Sequence, residues 1–241
     1  MLNKTKYGDG NYPPDPSMLY NDRMDTWYIN SRFYWSIQEP NVESMTQGPD
    51  ELSITDLRYT FFVLSLLKSE DKIKGGRVAD CGGGIGRVSF QVLSHFFDKI
   101  DIIDPIPQFL LKAREYLEKE VPVEIFQVGL EEWMPSETYD AFYIQWTLCH
   151  LTDNDIVDFL RRCKENSTKQ ALFFIKENIA GMTLETEKSQ FEYYPEKNSI
   201  CRTYKHYLSL FKEAGLVLEE YRVQPNWPVD FLTVVLFVLK K

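Results

Sequence analysis

The chain is poor in the patterns that mark metal sites, disulfide frameworks and membrane segments. Its 241 residues include four cysteines, none of them in a C-x-x-C pair, and three scattered histidines. This spacing argues against a zinc knuckle and a disulfide scaffold and favours a reducing compartment, and we expect no metal site. No run of 18 apolar residues and no signal-peptide core occurs, so we expect no membrane segment and a cytoplasmic or nuclear location.

Positive charge is also scarce, because the formal net charge is -9 at pH 7. A protein that binds a phosphate backbone depends on Lys and Arg, so this balance argues against a nucleic-acid partner and suits a cationic one. An apolar fraction of 44% supplies material for one continuous core. We expect a loose lead-in at residues 1–20 and a single domain at 21–241, which begins with a helical extension at 21–70.

Short apolar runs alternate with helical stretches after residue 76. The runs that are typical of buried strands are RVADC, KIDIID, VEIFQV, AFYIQW and QALFFIK. Helices are expected over 22–42, from about 50 to 68, and over 88–97, 107–119 and 153–165. Two more strands follow a last helix, with PNWP between them. This order predicts an α/β fold with a Rossmann-like, seven-stranded, mostly parallel sheet, an antiparallel last strand and helices on both faces. Its ligand crevice should lie at the carboxyl ends of the strands.

The segment VADCGGGIGRVS joins the first of these strands to a helix. It lacks the third glycine of a dinucleotide fingerprint, because Arg87 stands at that place. Glycines let the backbone pass close to a ligand, and an acid after the next strand, here Asp104, can accept two hydrogen bonds from a ribose diol. The guanidinium of Arg87 can pair with a carboxylate through two hydrogen bonds, whereas a pyrophosphate would not need such a partner at this place.

These glycines, together with Asp80 before them and Asp104, resemble the first motif of class I S-adenosylmethionine-dependent methyltransferases. Three further stretches are FYWSIQEPNVESMTQG, YIQWTLCHLTDNDIVDFLRRCK and FFIKEN. They resemble one family in that class, the protein alpha-N-terminal methyltransferases that act on X-Pro-Lys/Arg amino termini. The likeness extends from about Tyr34 onward. It implies S-adenosyl-L-methionine (AdoMet) as cofactor, S-adenosyl-L-homocysteine as product, and protein or peptide N-termini with Pro-Lys or Pro-Arg after the first residue as partners.

The resemblance also implies roles for individual residues. The cofactor-binding set is Trp35, Gly82, Gly84, Arg87, Asp104, Pro105, Ile106, Leu130, Glu131 and Gln145. The substrate-binding set is Tyr34, Trp146, Asn178 and Glu185, and the extension at 21–70 contributes to this site. His150 and Asn178 are the implied catalytic residues. Their chemistry suits the task, since an Asn carbonyl can orient an amine and a neutral His can accept its proton.

The likeness breaks in the segment 182–198. Glu185 matches the first of two family acids by its offset from Asn178, but the second acid falls on Lys197 or Lys188, depending on the direction of alignment. A lysine would repel a cationic substrate, so we expect a nearby glutamate to replace the acid or the substrate preference to differ. The candidates are Glu187, Glu192 and Glu196.

Two other hypotheses remain open at this point. A class I methyltransferase for a small amine or another acceptor would share Gly82, Arg87 and Asp104. A non-catalytic domain of the same fold would serve as a partner subunit. If a Pro-Lys peptide stays unmodified while a small molecule is methylated, the small-acceptor hypothesis is favoured over the family function. If the protein does not bind AdoMet, the non-catalytic hypothesis is favoured over both enzymes. The oligomeric state is not specified by the sequence.

Overall fold

A seven-stranded sheet forms the centre of the molecule. The computed structural model describes residues 16–20, 24–118, 120–181, 183–186 and 190–241. The strands of the sheet are β1 (Arg77–Cys81), β2 (Lys99–Ile103), β3 (Val123–Phe126), β4 (Tyr139–Gln145), β5 (Ser167–Ile179), β8 (Val217–Val223) and β9 (Thr233–Lys240). Their order is β3-β2-β1-β4-β5-β9-β8, and β9 runs antiparallel to both of its neighbours. The predicted mostly parallel sheet with an antiparallel last strand is therefore confirmed.

Helices cover both faces of this sheet, as the buried apolar runs of a parallel sheet require. They are α1 (Ser17–Tyr20), α2 (Met24–Ser36), α3 (Val42–Thr46), α4 (Asp50–Ser69), α5 (Arg87–Gln91), α6 (Pro107–Leu117), α7 (Asp153–Glu165) and α8 (Tyr204–Glu213). One apolar core lies between the sheet and α7 and α8, and another lies between the sheet and α4, α5 and α6. Among the described residues, no helix combines the length and apolarity that a membrane crossing requires.

Several boundaries differ from the sequence expectations. The helix expected over 88–97 is α5 followed by a 3-10 turn at Leu93–His95, and α2 ends at Ser36 instead of continuing to 42. Residues 1–15 of the expected lead-in lie outside the described residues, and its last four residues form α1. The short helix α3 was not predicted either; it is capped at its start by the side chain of Asn41.

A two-stranded hairpin packs against α2 and was also not predicted. It consists of β6 (Phe191–Tyr194) and β7 (Ser199–Arg202), which pair antiparallel. A small apolar cluster joins the hairpin to the N-terminal helices through Trp27, Tyr193 and Ile200. Asn198, at a left-handed φ of 44°, donates to the Trp27 carbonyl at 3.2 Å and accepts from the Tyr193 hydroxyl. The hairpin and α2 therefore form one unit above the carboxyl ends of the strands.

Candidate active site

A cavity opens at the carboxyl ends of β1, β2 and β4, beneath α2. Its empty space, counted to the open mouth, is about 990 Å³. The sequence-predicted residues that line it are Trp35, Gly82, Gly84, Arg87, Asp104, Pro105, Ile106, Leu130, Glu131, Gln145, Trp146 and His150. The fold thus brings together the whole expected cofactor set and two residues of the acceptor and catalytic sets. Tyr34, Asn178 and Glu185 lie outside this cavity lining.

The glycine loop after β1 forms the floor of the cavity. Gly82 has a φ of 76°, and a Cβ built on it would lie 2.2 Å from the Thr147 hydroxyl oxygen. Gly84 is also left-handed, and its N–H donates to the Asp104 carboxylate at 3.0 Å. L-residues with side chains adopt this backbone region at a cost, so glycine is required for this close turn.

Asp104 stands at the tip of β2 and faces this loop. Its carboxylate accepts the backbone N–H groups of Gly84 and of Ile106, the latter at 2.8 Å. Burial raises the pKa of Asp104 to about 7, with the charge of Asp80 as a smaller contribution in the same direction. A carboxylate has about four acceptor positions, so it retains capacity for a diol after these two backbone bonds.

The backbone at Leu130 and Glu131 forms the opposite wall. Arg162 donates to both carbonyl oxygens, at 2.8 and 3.2 Å, and the Glu131 carboxylate pairs with Arg32. The N–H groups of Leu130 and Glu131 have no hydrogen-bond partner within the described part of the chain. Fixed carbonyls with free N–H groups suit the nitrogen acceptors of an adenine ring, and with Asp104 they make the cavity fit a nucleoside.

A buried polar network holds the methionine end of the expected cofactor site. Asp56 of α4 is fully buried and accepts from Arg87 at 2.7 Å, from Gln145 at 2.9 Å and from Lys176. Burial alone would raise the pKa of Asp56, but the Lys176 and Arg87 charges lower it well below its usual value. Arg87 also donates to Ser53, and its remaining N–H groups leave donors for a ligand carboxylate.

The turn after β4 carries Trp146 and His150 into the site. Trp146 adopts a left-handed φ of 54°, and the Glu177 carboxylate then accepts the N–H groups of Thr147 and Leu148 at 2.8 and 2.7 Å. This carboxylate takes the place of a side-chain cap for the 3-10 turn Leu148–His150. A strained residue held by neighbouring bonds is typical of functional turns.

Helix α2 holds the backbone and the imidazole of His150 from three successive turns. Trp27 donates to the His150 carbonyl at 2.8 Å, Ser31 lies 3.1 Å from Nδ1, and the Trp35 indole N–H donates to Nε2 at 3.1 Å. These three residues are spaced by four, so they share one face of the helix. The indole can only donate, and therefore a neutral His150 carries its proton on Nδ1 and accepts on Nε2.

The electrostatic surroundings keep His150 neutral. Burial lowers its pKa to about 4, and the nearby charge of Lys197 acts in the same direction. At neutral pH the ring is therefore an acceptor whose Nε2 lone pair is engaged by Trp35. Its implied catalytic role stays a prediction, and proton uptake at Nε2 requires displacement of the Trp35 indole.

Aromatic rings continue from the cavity toward the surface. The ring of Trp146 lies 6.2 Å from that of Trp227, which in turn lies 6.4 Å from Phe231 in the loop between β8 and β9. The indole N–H groups of both tryptophans are buried without a hydrogen-bond partner among the described residues. Flat apolar rings with free donors suit a proline and its adjacent peptide carbonyls.

Tyr34 belongs to a second group of residues, which lies next to the cavity-lining Trp35. Its ring packs edge-on against Trp35 at 5.3 Å, and its hydroxyl accepts from Gln47 at 3.0 Å. Gln47 ends α3 at a left-handed φ of 53° and also accepts from the ammonium of Lys197. Tyr34, Gln47, Lys197 and Tyr194 are together called the Lys197 cluster below.

The two remaining expected residues lie apart from the cavity. Asn178 is half-buried on β5, opposite Val234 of β9. Glu185 is on the surface, 3.6 Å from the Lys205 ammonium, with a side chain that is 88% exposed. The fold does not bring Glu185 to the site because the β6–β7 hairpin, and not the 183–186 segment, packs beside His150.

Sequence reasoning missed several residues that shape the site: Ser31, Gln47, Asp56, Glu177 and Trp227. The four-residue spacing from Trp27 through Ser31 to Trp35 was a readable signal for a shared helix face. An aromatic residue between two prolines, in PNWP, was a second signal. Within the described ranges, no group of three or more His, Cys, Asp or Glu is placed to hold a metal ion.

Comparison with known proteins agrees with this geometry. The profile of a family described as AdoMet dependent proline di-methyltransferase matches residues 23–240. The N-terminal Xaa-Pro-Lys N-methyltransferase 1 of Danio rerio is 32% identical, covering 89% of this chain and 96% of that protein. The alpha N-terminal protein methyltransferase 1 of Dictyostelium discoideum is also 32% identical, covering 92% of this chain and 82% of that protein.

A solved structure shows the same similarity in three dimensions. A SAM-dependent methyltransferase from Leishmania major superposes with a TM-score of 0.80 at 29% identity, over 89% of this chain and 83% of that one. The matched region includes the glycine loop, α2 and the turn that carries His150. AdoMet is therefore the cofactor, and the chain belongs to the family of AdoMet-dependent proline di-methyltransferases.

Proposed function

We propose that the protein transfers methyl groups from AdoMet to the α-amino group of protein N-termini that begin Xaa-Pro-Lys or Xaa-Pro-Arg. The observation that carries this proposal is the Trp146–Trp227 wall beside His150. It provides flat apolar faces and free indole donors next to the cofactor cavity. Relatives whose names specify Xaa-Pro-Lys termini support the same acceptor.

In this proposal, one group of residues binds the cofactor and another positions the acceptor. Asp104 and the Leu130–Glu131 backbone would hold the nucleoside, and Arg87 would hold the amino-acid carboxylate. When bound, AdoMet supplies a methyl group on a sulfonium, which a neutral amine can accept. Trp146 and Trp227 would position the proline, so that the amine meets the methyl group in line.

His150 would contribute as a neutral acceptor and not as a strong base. Because its pKa is low, His150 would help mainly by holding the neutral amine in place with a hydrogen bond, and only weakly by taking a proton from it. A strong base is not required, because an α-amino group of pKa about 8 is roughly a tenth neutral at pH 7. A lysine side chain of pKa about 10.4 is neutral roughly once in 2,500 molecules, a disadvantage of about 3 kcal/mol.

Methyl transfer to short peptides tests the proposal. A peptide that begins Ser-Pro-Lys should acquire labelled methyl groups from AdoMet, and the same peptide with an acetylated amino terminus should not. A peptide that begins Ser-Ala-Lys is the matched control for the proline, and it should react far more slowly. Labelling of the acetylated peptide, or of small amines alone, would contradict the proposal.

A further inference from the structure

Among the described residues, the buried cations have acidic partners, with one exception. The buried Lys and Arg side chains among the described residues are Arg87, Lys176, Lys197 and Arg202. Arg87 and Lys176 pair with Asp56, and Arg202 pairs with Asp153. Lys197 is 8% exposed and has no carboxylate within ion-pair distance in the described ranges. A buried ammonium without a counter-ion is costly and is therefore unusual outside functional sites.

Neutral groups surround the ammonium of Lys197 instead. It donates to the side-chain carbonyl of Gln47 and lies 5.8 Å from the ring of Tyr34 and 5.9 Å from the ring of Tyr194. Burial lowers the pKa of Lys197, while Cys149 and Glu196 oppose that shift. Glu192 is occupied by the Tyr194 hydroxyl at 2.7 Å, and Glu196 is exposed. Neither Glu192 nor Glu196 is paired with Lys197, and Glu187 and Lys188 lie outside the described residues.

The Lys197 cluster adjoins the acceptor end of the cavity. Tyr34 contacts Trp35, and Trp35 is bonded to the ring of His150. The charge of Lys197 contributes to the low pKa of His150, so it is felt at that imidazole. A cation at this place disfavours an acceptor whose first residue adds positive charge, and no carboxylate in the described ranges pairs with it.

We propose that Lys197 is a specificity-determining residue that pairs with a carboxylate on the first residue of the acceptor, so that the protein prefers termini beginning Asp or Glu. This inference rests on the proposed function. The first residue is the part of the acceptor that lies nearest the amine, and hence nearest His150 and the Lys197 cluster. An acidic side chain there would provide the counter-ion that the described residues do not supply.

The test compares two peptides of nearly equal shape, one beginning Glu-Pro-Lys and one beginning Gln-Pro-Lys. In the wild-type protein, kcat/KM for the Glu peptide should exceed that for the Gln peptide about tenfold, as expected for one charge-assisted hydrogen bond. Lys197→Met should remove this preference. Lys197→Glu should instead favour a Lys-Pro-Lys peptide over the Gln peptide. Lys72→Gln, a change at an exposed lysine that pairs with Glu70, is the matched control and should retain the preference.

The outcomes distinguish this inference from the proposed function. Equal kcat/KM for the Glu and Gln peptides in the wild-type protein would overturn the inference and leave the function standing. Absence of methylation of every peptide in the series would overturn both. If the Lys197 variants do not fold, wild-type kcat/KM is compared for a second pair of peptides, beginning Asp-Pro-Lys and Asn-Pro-Lys. A preference for the Asp peptide supports the ion pair, and equal values for the two peptides contradict it.

Discussion

The cofactor half and the acceptor half of the cavity are assembled from different kinds of segment. In the cofactor half, the proposed binding groups lie on short connections directly after neighbouring parallel strands, at Gly82, Asp104 and Leu130. In the acceptor half, Trp146 and His150 also follow a parallel strand, β4, but the groups around them come from α2, the end of α3, the β6–β7 hairpin and the β8–β9 loop, which are far apart along the chain. The position of the cofactor half follows from the topology of the sheet. The acceptor half depends on tertiary packing between distant segments.

This contrast predicts which substitutions act on cofactor binding and which act on acceptor turnover. The largest effect should follow Asp104→Ala, because it removes an acceptor for the ribose and also releases the N–H groups of Gly84 and Ile106. We expect AdoMet affinity, measured by calorimetry, to fall about 100-fold, equivalent to one or two charge-assisted hydrogen bonds. Asp158→Ala, at an exposed residue of α7, is the control. An affinity within threefold of wild type would contradict the assignment.

On the acceptor side, His150→Ala should separate turnover from cofactor binding. The substitution removes the acceptor at Nε2 and frees the Trp35 indole. We expect kcat for a Pro-Lys peptide to fall about 100-fold, because the amine loses the neutral acceptor that would position it. AdoMet affinity should change only a few-fold. A parallel loss of AdoMet affinity would show that the two halves are not separable at this residue.

The pH dependence of turnover should report the acceptor amine and not His150. Because the pKa of His150 is about 4, the ring stays neutral throughout the range from pH 6 to 9. At saturating AdoMet, which keeps the titration of Asp104 out of the measurement, kcat/KM should rise about tenfold per pH unit up to the amine pKa, about 8 for a free terminus. Burial raises the pKa of Glu177 to about 8 as well, so the inflection is assigned to the amine by its shift among peptides of different amine pKa. An inflection between pH 6 and 7 that disappears in His150→Gln would instead identify His150 as the titrating base.

The smallest effect is expected for the contact between the hairpin and α2. Asn198→Gly keeps the left-handed backbone and removes two side-chain hydrogen bonds, so the free energy of unfolding should fall by about 1–2 kcal/mol. Asn198→Ala should cost about 1 kcal/mol more, because alanine is strained at a φ of 44°. Urea unfolding measures both. Peptide KM should rise severalfold while AdoMet affinity is retained, and equal stability of the two variants would argue against backbone strain.

The same division explains what could be predicted from the sequence. The strand RVADC coincides with β1, and the helix expected over 153–165 coincides with α7, because both have a clear apolar period and end signals. The positions of Asp104 and the glycine loop follow from the strand order alone. The hairpin was missed because its charged and aromatic residues become buried only against α2. The contact of Lys197 with Gln47 joins residues 150 positions apart, which no local pattern encodes.

The central claim is that the cavity presents the α-amine of a protein terminus to the AdoMet methyl group. Fragment-ion mass spectrometry of a Pro-Lys peptide after reaction tests it most directly, because it assigns the added mass to a particular nitrogen. We predict methyl groups on the nitrogen of the first residue and none on the lysine side chain. Methylation of that lysine side chain, with an unchanged terminus, would contradict the account.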